Sequence, residues 1–256
     1  MGVELWHFRY SHFNEKVRWA LDLKQVPYIS HLLVPGFHPP TVLRLTGQQL
    51  TPVLRLDGEL LWDSTAIIAA LEQRHPDPVL YPADRLDRER ALATEEWLDE
   101  EVGPDIRRLF YHCFLDAGGK ATARMSTAGF GRAATVTFRL LWPILKPVIG
   151  LNMKLDAPRV ARARQLLPTY FDRLEKQLGG RDYLVGDTLS IADLTAAALL
   201  CPLVRPSGCP FGLPAEPPDP WLELRDTVAL RPGFAWVCQI YDRHRGSCAA
   251  MGGPPA

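Results

Sequence analysis

The sequence has few cysteines, and none lies in its first 112 residues. The cysteines number five, an odd count without a C-x-x-C pair: Cys113, Cys201, Cys209, Cys238 and Cys248. We therefore expect neither a disulfide framework nor a metal site. A bond between Cys201 and Cys209 across a proline-rich loop is not expected either, because this cysteine usage fits a reducing cytoplasm.

The sequence also lacks net charge, since 29 basic residues balance 29 acidic ones. This balance gives no general attraction to nucleic acid. No apolar run long enough to span a bilayer stands out, and the N-terminus lacks the basic and apolar regions of a signal peptide. An apolar content of 47% is sufficient for a buried core. These features predict a soluble cytoplasmic protein.

Residues 117–155 contain no Asp or Glu at all. Six basic residues lie among apolar ones there: Lys120, Arg124, Arg132, Arg139, Lys146 and Lys154. One interpretation is an amphipathic segment that contacts a membrane surface. The other is a wall of an apolar pocket or a subunit contact. We favour the second, because Pro143 and Pro147 are expected to kink or break the helix.

The first 78 residues read as a small α/β domain. Apolar strands at 3–8 and 28–34 flank a helix at 13–24, so the two strands are predicted to be parallel. Asp57-Gly58 predicts a hairpin turn between strands at 53–56 and 59–62. The result is a four-stranded mixed sheet, followed by a helix that Asp63 and its neighbours cap.

Residues 85–245 read as an all-helical domain. A long helix is predicted from Arg85 to about Leu115, and an amphipathic one from Pro158 to Leu178. Ser190 and Asp193 have the spacing of a capping box before a buried helix. The tail after Gly246 is expected to be disordered.

Two hydroxyl side chains, Tyr10 and Ser11, stand where the first strand ends and the first helix begins. The N–H groups at a helix N-terminus lack partners and favour an anion. That anion is a phosphate, a carboxylate or a thiolate, and the local pattern does not choose among them. A simpler interpretation is that Ser11 only caps the helix.

Three motifs, in this order, resemble the glutathione transferase superfamily. In the first, Ser11 is followed by Lys16-Val17-Arg18. In the second, Thr51-Pro52 precedes the acidic-hydroxyl pair Asp63-Ser64. The third is the stretch 184–193, which is like the family's helical-domain motif. The resemblance covers nearly the whole chain. It implies a thioredoxin-like glutathione-binding domain at 1–78 and a helical domain at 85–245 that contributes the second-substrate pocket.

The resemblance implies that the thiol of bound glutathione is deprotonated. Lowering a thiol pKa from ~8.5 by about two units requires about 2.7 kcal/mol. A hydroxyl hydrogen bond supplies roughly 1.5–3 kcal/mol, and a helix N-terminus adds roughly 0.3–1 kcal/mol. Ser11 is the first candidate for that hydroxyl and Tyr10 the second.

The remaining contacts are also implied by the resemblance. A cis Thr51-Pro52 bond would present the Thr51 backbone to the cysteinyl part of glutathione, and Asp63 and Ser64 would bind the γ-glutamyl end. His38, Gln48 and Gln49 are the candidates for the glycyl carboxylate, and Arg9 is a further one. Tyr111, late in the long helix, either faces the second substrate or packs between helices.

The expected function is conjugation of glutathione to a small apolar electrophile, as in detoxification, by a cytoplasmic homodimer. One alternative is a glutathione-dependent isomerase or dehalogenase. Another is a non-catalytic protein that binds glutathione or apolar ligands on the same fold. Mixed-disulfide chemistry is disfavoured, because no cysteine lies near Ser11.

Overall fold

The structure is a computed structural model, and it describes residues 2–116, 118–209 and 217–251. The first 74 residues contain four strands and three helices. These are β1 (Val3–His7), α1 (His12–Leu23), β2 (Tyr28–Leu32), α2 (Pro39–Thr46), β3 (Val53–Leu56), β4 (Glu59–Trp62) and α3 (Ser64–Arg74). The predicted order of elements in this part is confirmed.

The sheet has one strand more than predicted. Its order is β4-β3-β1-β2-β5, with β1 and β2 parallel and the hairpin β3-β4 antiparallel to them. The fifth strand, β5 (Ala250–Met251), pairs with the edge of β2. It lies in the tail that the sequence predicted to be disordered, and a two-residue strand leaves no periodic pattern to detect.

The rest of the described chain is helical. The helices are α4 (Arg85–Trp97), α5 (Gly103–Asp116), α6 (Gly119–Ser126), α7 (Arg132–Asn152), α8 (Ala157–Leu178), α9 (Ile191–Val204), α10 (Asp219–Asp226) and α11 (Pro232–His244). A π-helical segment, Leu98–Val102, joins α4 to α5, so the predicted long helix is continuous. Pro104 follows this segment and has no N–H for an ordinary helical bond, which the wider π-turn accommodates.

Helix α9 forms the centre of the helical part, and every one of its residues is buried. The predicted capping box at Ser190 and Asp193 is present. The Asp193 carboxylate accepts hydrogen bonds from the N–H groups of Leu184 (2.7 Å) and Ser190 (2.9 Å), and burial raises its pKa to about 6. Helix α9 packs against α1 as well as α4, α5 and α11, so one core extends from the sheet side into the helices.

Two expectations about the helical part were wrong. Helix α7 continues through Pro143 and Pro147 as 21 residues, and by length and apolar composition it could cross a membrane. Both prolines lie on its exposed side, where water can solvate the carbonyls that lose a partner. The structure also joins Cys201 and Cys209 as a disulfide, which the sequence did not predict.

A buried cation connects the sheet side to the helical side. The Lys16 ammonium on α1 has no exposed surface and lies 2.8 Å from Glu95 on α4 and 2.6 Å from Asp99 in the π-helical segment. It also donates to the Thr65 hydroxyl on α3 at 3.1 Å. Burial raises the pKa of the Glu95 carboxyl, and the attraction of Lys16 opposes that rise.

Replacing Lys16 by Met should destabilise the fold by about 3–5 kcal/mol, because the buried Glu95 and the half-buried Asp99 carboxylates are then left without a cation. Urea unfolding measures this change. The matched control Lys176→Met, at an exposed position, should stay within about 0.5 kcal/mol of the parent. Adding Glu95→Gln and Asp99→Asn to Lys16→Met should recover part of the loss. A loss below about 1 kcal/mol for Lys16→Met would contradict the role of this ion cluster.

Candidate active site

Ser11 is the N-cap of α1. Its backbone is extended, and its hydroxyl oxygen accepts the N–H of Asn14 at 3.4 Å. The N–H groups of His12 and Phe13 bond to no other backbone group in the described residues. Two unpaired amides and a hydroxyl therefore meet at the positive end of the helix, as the sequence predicted for an anion site.

A small cavity of about 40 Å³ opens beside this helix end. Its wall comes from the turn before α1, the end of β2, α5 and the segment at α6. The lining residues are Phe8, Arg9, Tyr10, Ser11, Leu32, Leu33, Pro35, Phe110, Tyr111, Met125, Ser126, Ala128 and Phe130. Both predicted hydroxyls line it, and so does Tyr111. The volume is room for about three water molecules.

Thr51 lies next to the helix end that carries Ser11. The Asn14 side chain, which is fully buried, donates to the Thr51 hydroxyl at 3.3 Å. The Thr51-Pro52 bond is cis, as the resemblance implied. Neither the N–H nor the C=O of Thr51 bonds to another backbone group in the described ranges, so both can pair with an extended peptide.

Asp63 and Ser64 begin α3. One Asp63 oxygen accepts the N–H groups of Thr65 and Ala66, both at 3.0 Å, and so caps the helix. Its second oxygen has no hydrogen-bond donor among the described residues. The Asp63 backbone has φ +76°, a conformation that costs roughly 1–3 kcal/mol for a residue other than glycine. Such conformations cluster at ligand sites, and here the Asp63 carboxylate lies at the start of the helix that Ser64 opens.

His38 and Gln49 lie close together, but the histidine is already engaged. One His38 nitrogen accepts the N–H of Gly36 at 3.3 Å, and the other donates to the Gln49 carbonyl at 3.1 Å. Burial lowers the His38 pKa, which keeps the ring neutral. The Gln49 side chain is exposed. His38 therefore holds the backbone that carries Gln49, and the Gln49 amide is the group that can reach a ligand.

Comparison with known families accounts for this arrangement. Residues 5–79 match the family model of the glutathione S-transferase N-terminal domain, and residues 157–218 match that of the glutathione S-transferase C-terminal domain. Together the two matches span more than half of the chain, and they contain the helix-end hydroxyl, the cis proline and the capping box.

The chain belongs to the glutathione transferase superfamily. Its thioredoxin-like sheet and helical C-terminal part are the fold that the sequence predicted.

Relatives of this chain carry different names. Maleylpyruvate isomerase of a Ralstonia species is 37% identical over 107 residues, which is 41% of this chain and 49% of that protein, so the chain spans about half the length of that relative. FtsZ-localized protein A of Caulobacter vibrioides is 23% identical over 78% of this chain and 77% of its own length.

Among solved structures, a glutathione S-transferase of Methylobacterium radiotolerans in complex with glutathione sulfonate superimposes with a TM-score of 0.57. It is 24% identical and covers 92% of this chain and 93% of its own. This likeness supports the fold.

Two cationic side chains lie near the cavity, Arg9 and Arg107, and sequence reasoning missed Arg107. Arg9 lines it directly. Arg107, one turn before Tyr111 on α5, lies with its guanidinium 5.6 Å from the centre of the Phe13 ring. Burial lowers the Arg107 pKa, and burial raises the pKa of the Tyr111 hydroxyl. No acidic side chain pairs with Arg107 among the residues that the structure describes. The one signal in the sequence was the spacing of four residues, which puts Arg107 on the same helix face as Tyr111.

His12, beside Ser11, is buried and donates to the Gly103 carbonyl at 3.1 Å. Burial and the nearby Arg107 lower its pKa from 6.5 to about 3. Between those values the unfolded chain binds a proton that the folded chain does not. The stability from neutral His12 is therefore complete above pH 6.5 and declines as the pH falls toward 3.

We expect His12→Gln to flatten this pH dependence. Each proton taken up on unfolding contributes about 1.4 kcal/mol per pH unit, so the variant's unfolding free energy should change that much less steeply. Glutamine keeps an N–H donor for Gly103. Denaturant unfolding at a series of pH values below 6.5 measures both slopes. Parallel profiles for the two proteins would rule out a buried neutral His12.

Proposed function

We propose that this protein binds glutathione with its γ-glutamyl end at Asp63 and its glycyl end at Gln49. The thiol between these ends would be deprotonated and stabilised as a thiolate at Ser11. The observation that supports this most is the Asn14–Thr51 contact, since it puts a free strand-like backbone beside the hydroxyl at the α1 N-terminus. Asp63 would meet the γ-glutamyl ammonium and Ser64 its carboxylate. Gln49, held by His38, would meet the glycyl carboxylate. Residues 1–78 would form this glutathione domain.

The reaction we propose is conjugation to a small apolar electrophile. Ser11 donates its O–H to the thiolate and keeps its proton throughout, while the α1 amides favour the same charge. The thiolate sulfur forms a bond to the electrophilic carbon, and a leaving group departs or the carbon takes a proton from water. Tyr10, in the same cavity wall, is the second candidate for the hydroxyl. The enzyme would act in the cytoplasm as a homodimer.

The room for the electrophile lies between α1 and the helical residues 85–245. The cavity of about 40 Å³ is smaller than any such substrate. Met125 and Phe130 line it from the helical part, and these side chains would move to admit the electrophile. Eight of the thirteen lining residues are apolar, which favours an apolar substrate.

A second candidate reaction is glutathione-dependent isomerisation of an unsaturated carboxylic acid. Arg9 in the cavity wall supplies a cation for a carboxylate, and one relative is named maleylpyruvate isomerase. The thiolate would add to a carbon–carbon double bond, the resulting single bond would rotate, and elimination would return the thiolate. Replacing Arg9 by Gln should reduce this activity and leave conjugation of neutral electrophiles unchanged.

Thermal unfolding with glutathione tests the binding step. Glutathione at a hundred times its dissociation constant should stabilise the protein by about 2.7 kcal/mol. Cysteinylglycine, which lacks the γ-glutamyl group, should stabilise it less. Asp63→Asn with Ser64→Ala should remove the difference between the two ligands. The absence of any shift at millimolar glutathione would defeat the proposal. A shift without turnover of electrophiles or unsaturated acids would identify a non-catalytic binding protein.

Replacing Ser11 by Ala should raise the thiol pKa of bound glutathione by about one to two units, since one hydrogen bond to the thiolate is lost. The ultraviolet absorbance of the thiolate across a pH series measures it. Ser11→Ala also removes a helix cap, which costs about 1 kcal/mol of stability, so Ser11→Thr is the control that keeps the hydroxyl. Tyr10→Phe should leave the thiol pKa unchanged. The reverse pattern would transfer the role to Tyr10.

A further inference from the structure

Helix α7 presents a row of apolar side chains to solvent. Val136, Leu140, Ile144 and Val148 recur every four residues, and Leu151 completes the row one turn later. Their exposed fractions are 53%, 75%, 65%, 50% and 80%. These five residues, called the α7 stripe below, form a continuous apolar surface on one side of the helix. Monomeric soluble proteins rarely leave such a surface uncovered.

The opposite side of α7 is fixed to the protein. Phe138 is fully buried, and its ring centre lies 6.2 Å from that of Phe37 and 5.9 Å from that of Trp142. Trp142 packs so closely on Gly119 that a Cβ there would lie 2.7 Å from the indole ring. The inner contacts therefore set the rotation of the helix, and they hold the α7 stripe outward.

Basic residues border the α7 stripe. Arg132, Arg139 and Lys146 are seven residues apart and therefore lie along one side of the helix. Arg132 and Arg139 are one turn before and after Val136, so this side adjoins the stripe. The whole segment 117–155 has no carboxylate side chain. The surface thus combines exposed apolar side chains with charge of a single sign.

We propose that the α7 stripe binds an anionic lipid surface, with α7 lying in the plane of the interface. The apolar side chains would enter the boundary between headgroups and acyl chains, while the arginines stay at the level of the lipid phosphates. The anionic headgroups supply the negative charge that the segment itself lacks. The prolines do not oppose this arrangement, because the helix runs through both without interruption.

The charge of α7 favours a lipid surface over a second copy of the chain as the binding partner. Two α7 stripes packed on each other would bring two basic rows together without a carboxylate from either segment, which is unfavourable. A bilayer-spanning arrangement is also disfavoured. It would take Arg139 and Lys146 into the hydrocarbon and would break the inner contacts of Phe138 and Trp142 with the rest of the protein.

Vesicle flotation of the full chain tests the proposal. Vesicles of phosphatidylcholine with about a third phosphatidylglycerol should bind the protein, and pure phosphatidylcholine should bind it far less. Leu140→Ser with Ile144→Ser should weaken binding on the order of tenfold or more, because two inserted side chains are lost. Arg132→Gln with Arg139→Gln should weaken it roughly fivefold per charge, and added salt should have the same effect.

Matched controls come from other exposed sites of the same types. Leu230→Ser removes a leucine that is 98% exposed, and Arg162→Gln with Arg164→Gln removes two exposed arginines of α8. Both variants should bind vesicles like the parent. Thermal unfolding and glutathione binding should be unchanged in every variant, since each altered side chain lies outside the core and the candidate site.

Four results would overturn the proposal. One is failure of the parent to float with anionic vesicles. Another is equal binding by the parent and the Leu140→Ser, Ile144→Ser variant. The third is a parent dimer that this variant converts to a monomer in sedimentation velocity, which would identify the α7 stripe as a subunit contact. Bound protein that resists extraction by high salt and alkaline carbonate would show a spanning helix instead.

Discussion

The packing of the sheet part against the helical part depends on the Lys16 ammonium. A cation without any exposed surface must lie among anions, and here Glu95 and Asp99 provide them from the helical side. Removing Lys16 would leave the Glu95 and Asp99 carboxylates without a cation. This requirement fixes α1 against α4 and the π-helical segment. The cavity wall depends on it, because Ser11 is at the start of α1 and Tyr111 is on the helix that continues from Asp99.

Elements with local signals could be predicted from the sequence. The Asp57-Gly58 turn, the Asp63 cap and the Ser190–Asp193 capping box each involve residues within a few positions of one another, so their chemistry is visible in a short window. The roles of the site residues were instead inferred from the resemblance to a family. The cis bond at Thr51-Pro52 was inferred from family resemblance, and the structure has it.

Features that depend on distant contacts could not be predicted. Lys16 meets partners 49 and 83 residues away, and no local pattern indicates that such a lysine is buried. The prolines of α7 were misread because their effect depends on which side of the helix faces water. The occupation of both His38 nitrogens and the small size of the cavity likewise follow from packing, which a single sequence does not record.

The pairing of β5 with β2 has a consequence for folding during synthesis. β2 is complete early in synthesis, whereas Ala250 and Met251 follow all of the helices. Throughout elongation, therefore, one margin of the nascent sheet offers unpaired N–H and C=O groups to other chains. The bond from the Ala249 N–H to Asp22, at 2.7 Å, draws the late segment to its place beside α1. The β2 edge is thus paired only after the last helix has been synthesised. A chain released earlier would expose an unpaired edge strand that favours aggregation.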